Sequence, residues 1–246
     1  MFSEAGSTDY CLSRETGIRH SLEDICPLDS RRCGNDDFFI GASTMTRRVI
    51  LIRHGDLGEG CRGRYIGRTD VPLSEGGKHQ AAALAGELGR LKGAHILCSP
   101  LLRARETAGI ALGVDMVCDI DADLREIDFG RWEGMGFAEI AAADPAAIDH
   151  WTSLNEDFTF PGGESIDNFR KRIGAVAGRI AADPAATVVA FTHGGVIRFL
   201  ICRFLGLDDR HYLLFDVRPG SLSELSLDGG RGVLSRLNDR HHREGD

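Results

Sequence analysis

Two short polar groups each follow a run of buried-type residues. Arg53, His54 and Gly55 come directly after VILI (49–52), and His193, Gly194 and Gly195 come directly after VVAFT (188–192). Two further groups repeat the pattern: Arg103 in LLRARETA (101–108) follows HILCSP (95–100), and Arg125-Glu126 follows VCDIDADL (117–124). Two arginines offer planar forks that bind a phosphate through paired N–H donors. A helix opening after His193-Gly194-Gly195 would add backbone N–H groups and the positive end of its dipole. A neutral histidine inside such a cage can attack phosphorus and carry it covalently, and a nearby carboxylic acid can protonate the departing oxygen. Cationic side chains would bear the charge, so this chemistry calls for no metal, and the usual magnesium-ligand clusters of phosphoryl transfer are not evident in the sequence.

Each feature alone has an ordinary explanation. A strand can end in arginine and histidine, glycine can serve only a turn, and Arg103 or Glu126 can be a solvated charge. Their joint occurrence, each after a buried run, is what points to a site.

These groups need elements to position them, and the rest of the pattern supplies them. RRVILI (47–52) is apolar without alternation, as in a strand buried on both faces. LSEGGKHQAAALAGELGRL (73–91) predicts a helix capped by Ser74, GAHILCS (93–99) a strand, and LLRARETAGIAL (101–112) a helix. VDMVCDI (114–120) is strand-like. Ile166, Phe169, Ile173, Val176 and Ile180 recur at spacings of three and four behind Ser165, which predicts an amphipathic helix with a serine cap. TVVAFT (187–192) predicts a strand, GGVIRFLICRFLGL (194–207) a buried helix, and SLSELSL (221–227) an edge strand. Alternating β and α segments predict a three-layer α/β sandwich: a largely parallel central sheet flanked by helices. Ligands of such sheets sit beyond the carboxyl ends of the strands, where all four polar groups fall.

Composition narrows the function. The 246 residues carry a formal net charge of −8, which argues against a general electrostatic grip on nucleic acid or an anionic membrane. An anionic substrate would need positive charge focused in one site. Seven cysteines are scattered without a C-x-x-C pair. Cys98, Cys118 and Cys202 stand in apolar runs, as small buried hydrophobes do. A reducing, cytoplasmic setting fits, with neither a signal-peptide core nor an 18-residue apolar span. Residues 1–44 hold eight acidic and four basic side chains and little apolar periodicity. They read as a disordered, non-essential extension before a domain over 45–236, with a polar tail at 237–246. A metal reading of His54 and His193 lacks a third ligand at suitable spacing, and His241-His242 lies in that tail.

LIRHGD, RYIGRTDVPLSEGG, CSPLLRARETA, LREIDFGRWEG, FPGGES and VVAFTHGGVIR, in this order, resemble the histidine phosphatase superfamily, also called phosphoglycerate-mutase-like. The resemblance runs from about Arg47 to Leu227. It implies a single α/β domain, a phosphohistidine intermediate and no cofactor. By position, His54 resembles the phosphorylated nucleophile, Arg53 and Arg103 the phosphate clamps, and His193 the second histidine, which donates to the phosphate. Glu126 resembles the proton donor and acceptor. Ile66 and Gly67 lie where the substrate-side loop passes, and Gly194 belongs to the phosphate-binding helix start. Relatives commonly carry an asparagine seven residues after the motif arginine. Gly60 stands there, so that donor is absent or supplied by Arg62, Arg64 or backbone.

The segment from Glu126 to Glu164 covers the site in this family. It is short here, as in the phosphatases, notably α-ribazole-5′-phosphate phosphatase; phosphoglycerate mutases, the alternative, carry a longer insertion. Trp132, Phe137, Trp151, Phe158 and Phe160 lie in this segment with a single arginine, Arg131. A flat, neutral leaving group could stack on an indole, or the aromatics could simply pack a helical subdomain. The expected partner is thus a small phosphorylated metabolite, such as α-ribazole 5′-phosphate. A silent phospholigand-binding module is the reading from another class.

Overall fold

A computed structural model of the chain describes residues 46–113, 117–152 and 157–240. The extension expected over 1–44 and the last residues of the tail, 241–246, lie outside them.

Six strands form one sheet in the order β3-β2-β4-β1-β5-β6. The first four in that order, β3 (Asp119–Ile120), β2 (His95–Cys98), β4 (Thr187–Thr192) and β1 (Arg47–Arg53), run parallel. The last two, β5 (Leu222–Asp228) and β6 (Arg231–Asp239), are antiparallel to their neighbours. The sheet is therefore mixed, with a parallel half that carries the polar strand ends.

Val49 to Ile52 are fully buried because both faces of β1 are covered. Val49 and Leu51 face the cluster built with α6 (Ile166–Ala182) and α7 (Gly194–Leu205). Ile50 and Ile52 face the cluster built with α2 (Ala85–Leu88), α3 (Leu102–Leu112) and Leu84, which ends α1 (Glu75–Ala83). Ser74 and Ser165 cap α1 and α6 as their spacing predicts, accepting from Gly77 N–H at 3.0 Å and Asn168 N–H at 3.1 Å. The cover segment forms α4 (Phe137–Ala143) and α5 (Pro145–Thr152).

Five expectations need correction. SLSELSL is not an edge strand, because β5 lies between β1 and β6. The domain does not stop at 236: β6 runs on to Asp239 and takes Leu237, Asn238 and Asp239 from the segment read as tail. The strand is hard to read because irregular pairing around Glu224 breaks its register and scatters its apolar residues. Gly229 and Gly230, both at positive φ, make the hairpin turn that leads into it. The helix predicted over 73–91 is broken at Leu84, and of VDMVCDI only Asp119–Ile120 pairs as strand, with 114–116 outside the described residues. Cys118 is half-buried rather than a core hydrophobe, whereas Cys98 and Cys202 are buried.

Candidate active site

The end of β1 is fixed from several sides. The Arg53 N–H donates to Ser221 O at 3.0 Å, the His54 N–H to Thr192 O at 3.0 Å, and the Gly220 N–H to His54 O at 2.9 Å. Gly55 follows because nothing larger fits: a Cβ there would lie 2.4 Å from the Gly77 carbonyl oxygen. Its N–H donates to Thr107 Oγ1 at 3.1 Å.

His54 is almost wholly buried, and its Nδ1 lies 2.8 Å from the carbonyl of Gly55. A carbonyl only accepts, so Nδ1 carries the proton and Nε2 keeps its lone pair. Burial, reinforced by the charges of Arg53 and Arg103, holds the His54 imidazole well below its ordinary pKa. It is therefore neutral at physiological pH. Arg53 donates from Nη1 to Val217 O at 2.6 Å, while its buried Nε has no partner among the described residues. Burial lowers this guanidinium to about 10, against the raising effect of Glu126. Its head lies against Gly194, where a Cβ would sit 3.3 Å from it.

Glu126 stands at the start of α7. Its Oε2 accepts from Gly195 N–H at 3.0 Å and its Oε1 from Ile127 N–H at 3.0 Å. Arg172 on α6 holds the backbone behind it, donating to the carbonyls of Asp123, Arg125 and Glu126 and pairing with Glu164 at 2.7 Å.

His193 and Arg103 are packed behind these groups and wholly buried. The His193 ring lies 5.2 Å from that of His54 between centroids. Its Nδ1 accepts from Arg103 Nε at 3.2 Å, so Nε2 carries the proton, which it donates to Ser99 Oγ at 2.8 Å. Burial, then the charge of Arg103, keeps His193 well below its usual pKa. Arg103 also donates to the carbonyls of Thr69 at 2.9 Å and Gly67 at 2.7 Å. The loop at 66–69 is clasped from its other side by Glu133, which accepts from Gly67 and Arg68 N–H and from the Thr69 hydroxyl. Only glycine fits at 67, since a Cβ would lie 2.0 Å from the Ile127 carbonyl oxygen.

A cavity of about 600 Å³ opens over this arrangement. Of the residues singled out in the sequence, Arg53, His54, Ile66, Glu126 and Gly194 line it; Arg103, His193 and Gly67 do not, and support its wall from behind. Arg62 and Arg64 reach the cavity, but Glu59 holds the first at 2.7 Å and Glu139 the second at 2.8 Å. Trp151 and Phe160 line it as well, whereas Trp132 and Phe158 are core residues. Stacking on an indole therefore narrows to Trp151.

Sequence reasoning missed Ser99, Glu133, Arg172 and Arg198. Ser99 lies inside a motif string and Arg198 is one helical turn after Gly194, so proximity to the motifs was their only signal. Glu133 also lies inside one of those strings, LREIDFGRWEG, but acts on a loop dozens of residues away, as does Arg172, which nothing local marks. Among the described residues, no group of three or more His, Cys, Asp and Glu side chains is placed to hold a metal ion.

A family model described as the histidine phosphatase superfamily, branch 1, matches residues 49–240. A bifunctional protein of Mycobacterium tuberculosis is 37% identical over 202 residues, covering 80% of this chain and 49% of that protein. The chain thus spans about half the length of that relative. Phosphoserine phosphatase 1 of Hydrogenobacter thermophilus is 32% identical over 197 residues, covering 79% of this chain and 93% of the relative. The crystal structure of the α-ribazole phosphatase from Shigella flexneri superposes with a TM-score of 0.73 at 28% identity, covering 78% of this chain and 96% of the other.

Proposed function

The chain belongs to the histidine phosphatase superfamily, and from that premise we propose that it hydrolyses a small phosphomonoester through a phosphohistidine on His54. One observation carries the reading. The His54 Nε2 lone pair is left free because Nδ1 is tied to the Gly55 carbonyl, and His54 shares its cavity with Arg53 and Glu126.

In this mechanism Nε2 attacks phosphorus as the P–O bond to the leaving group breaks. Glu126 in its acid form gives its proton to the departing oxygen. Glu126, now a carboxylate, takes a proton from water as that water attacks phospho-His54, which releases phosphate and restores both groups. Arg53 balances charge on the phosphoryl oxygens. Arg103 sets the His193 tautomer, so that His193 keeps its proton on Nε2, where Ser99 accepts it behind the wall that carries His54. The guanidinium groups supply the positive charge, and the reaction draws on no cofactor.

Two substrate classes have support. The aromatic wall with Trp151 suits a flat leaving group such as that of α-ribazole 5′-phosphate, in line with the solved structure of similar fold. A phosphorylated hydroxy acid is the second, in line with the phosphoserine phosphatase relative. The four described cysteines are all free thiols, which supports a reducing, cytoplasmic setting. No described helix is long and apolar enough to cross a membrane.

The test is to trap the intermediate. Wild type quenched during turnover of ³²P-labelled substrate should carry an acid-labile label, and folded His54→Ala should carry none and turn over almost nothing. A variant as active as wild type would end the assignment. With 3-phosphoglycerate, phosphate release should exceed formation of 2-phosphoglycerate; the reverse would make the protein a mutase. Binding without any turnover would make it a silent phospholigand module.

A further inference from the structure

The amino ends of the parallel strands, opposite the cavity, carry a histidine held between two carboxylates. His95 opens β2; its Nδ1 lies 2.5 Å from Asp183 Oδ2 and its Nε2 2.8 Å from Asp119 Oδ2. Asp183 follows α6 at the turn into β4, and Asp119 opens β3. A carboxylate only accepts, so a ring that serves both must carry a proton on each nitrogen and is an imidazolium. His54 and His193 are neutral rings with one proton each; His95 is of the opposite kind.

Nothing nearby replaces this cation. Asp183 Oδ1 accepts from Ala185 N–H at 2.8 Å. Arg47 of β1 reaches the same turn but donates to the carbonyls of Ala181, Asp183 and Ala185. Among the described residues, no arginine or lysine pairs with either carboxylate, and His95 pairs with both. The Asp183 side chain is nearly buried and that of Asp119 is 69% exposed, so the first bond is the firmer of the two.

β3 has little else to hold it. It is two residues long, pairs with β2 alone, and both of its side chains are exposed. Just beyond it the Asp121 N–H donates to Cys98 O at 3.0 Å. From Asp121 onward Arg179 takes over, pairing with Asp121 and Asp123.

We propose that His95 is a pH-sensitive staple: as a cation it fastens β3 and the turn before β4 to β2, and loss of one proton to solvent frees β3. The proton that stays is the one on Nδ1, shared with the buried Asp183. Nε2 then turns a lone pair toward the Asp119 carboxylate, and that contact becomes repulsive. The bond to Asp183, then that to Asp119, holds the imidazole above its ordinary pKa against the effect of burial. The native chain therefore keeps this proton to higher pH than the unfolded chain does, and stability falls as pH rises through that window. For the buried, neutral His54 and His193 the loss comes on the acid side instead.

NMR of the full chain follows the ring and the strand together. The His95 imidazole should titrate at higher pH than in the urea-unfolded chain, and Asp183→Asn should lower its midpoint more than Asp119→Asn. Hydrogen exchange of the Asp121 amide, corrected for its intrinsic pH dependence, should lose protection by roughly two- to fivefold across the same titration, the range for a partly exposed ion pair. In Asp119→Asn that protection should already be at the lower level and show no step. The Val189 amide, in the middle of the sheet, should show no step in either protein. A His95 midpoint at or below that of the unfolded chain would overturn the proposal, as would Asp121 protection indifferent to the titration. A step shared by Asp121 and Val189 would mean that the whole sheet opens, and would overturn a local staple.

Discussion

At the scale of single residues, the site depends on which atoms carry protons. Gly55 and Arg103 determine this for the two histidines, one by accepting from His54 Nδ1 and the other by donating to His193 Nδ1. The two rings, 5.2 Å apart, therefore have opposite tautomers: one bares Nε2 and the other protonates it. In the proposed mechanism Glu126 has the complementary task of moving a proton to the leaving oxygen. Glu126→Gln keeps much of the geometry and removes that proton. Turnover of alkyl phosphates should fall by roughly 10²–10⁴-fold. p-Nitrophenyl phosphate, whose leaving group is stable as an anion, should fall far less. Steady-state kinetics on both esters checks this, and a uniform loss would mean that Glu126 only shapes the cavity.

At the scale of elements, strands and helices act as posts, and long-range hydrogen bonds set the loops between them. α6 contributes Arg172, which ties together the carbonyls of three residues leading to Glu126 and the carboxylate of Glu164. Arg172 is a positioning residue: it touches the backbone of Glu126 and does not line the cavity. Arg172→Met should displace that backbone and leave Glu164 without its closest cation. The expected cost is on the order of 3 kcal/mol of stability, the scale for breaking a largely buried pair. Alkyl phosphates should again lose more than p-nitrophenyl phosphate, which a purely structural defect would not produce. Chemical denaturation and the ratio of the two rates test the two effects separately.

At the scale of the whole molecule, folding withdraws two neutral histidines from solvent at the carboxyl ends of the two central strands, β1 and β4. Both His54 and His193 are held well below the ordinary imidazole pKa, chiefly by burial. In the unfolded chain each takes up a proton near pH 6.5, while in the native protein each stays neutral to lower pH. The unfolded state then binds more protons, so stability falls as pH drops below about 6.5 and continues to fall until the native groups also titrate. Above that pH the two histidines contribute no slope. In the acid window each contributes about 1.4 kcal/mol per pH unit. Denaturation of wild type and His54→Gln between pH 7.5 and 5.5 measures this, and the variant should show the shallower decline. Identical slopes would mean that His54 titrates in the native state as it does in the unfolded one.

Sequence alone determined what is local or repeated. Unbroken apolar runs at 49–52 and 188–192 marked strands covered on both faces, and the spacing from Ile166 to Ile180 behind Ser165 marked a capped helix. Residue types at the strand ends pointed to phosphoryl chemistry because few other groups use arginine, histidine and glycine together. Tertiary structure decided what depends on partners far along the chain. Arg103 and His193 lie behind the cavity wall because Gly67, Thr69 and Ser99 meet them there. Trp132 became core while Trp151 faced the cavity, although both occupy the same cover segment. β6 escaped notice because its pairing is irregular. Spacing records which face of its own element a side chain occupies; which donor meets which acceptor is determined only when the elements pack.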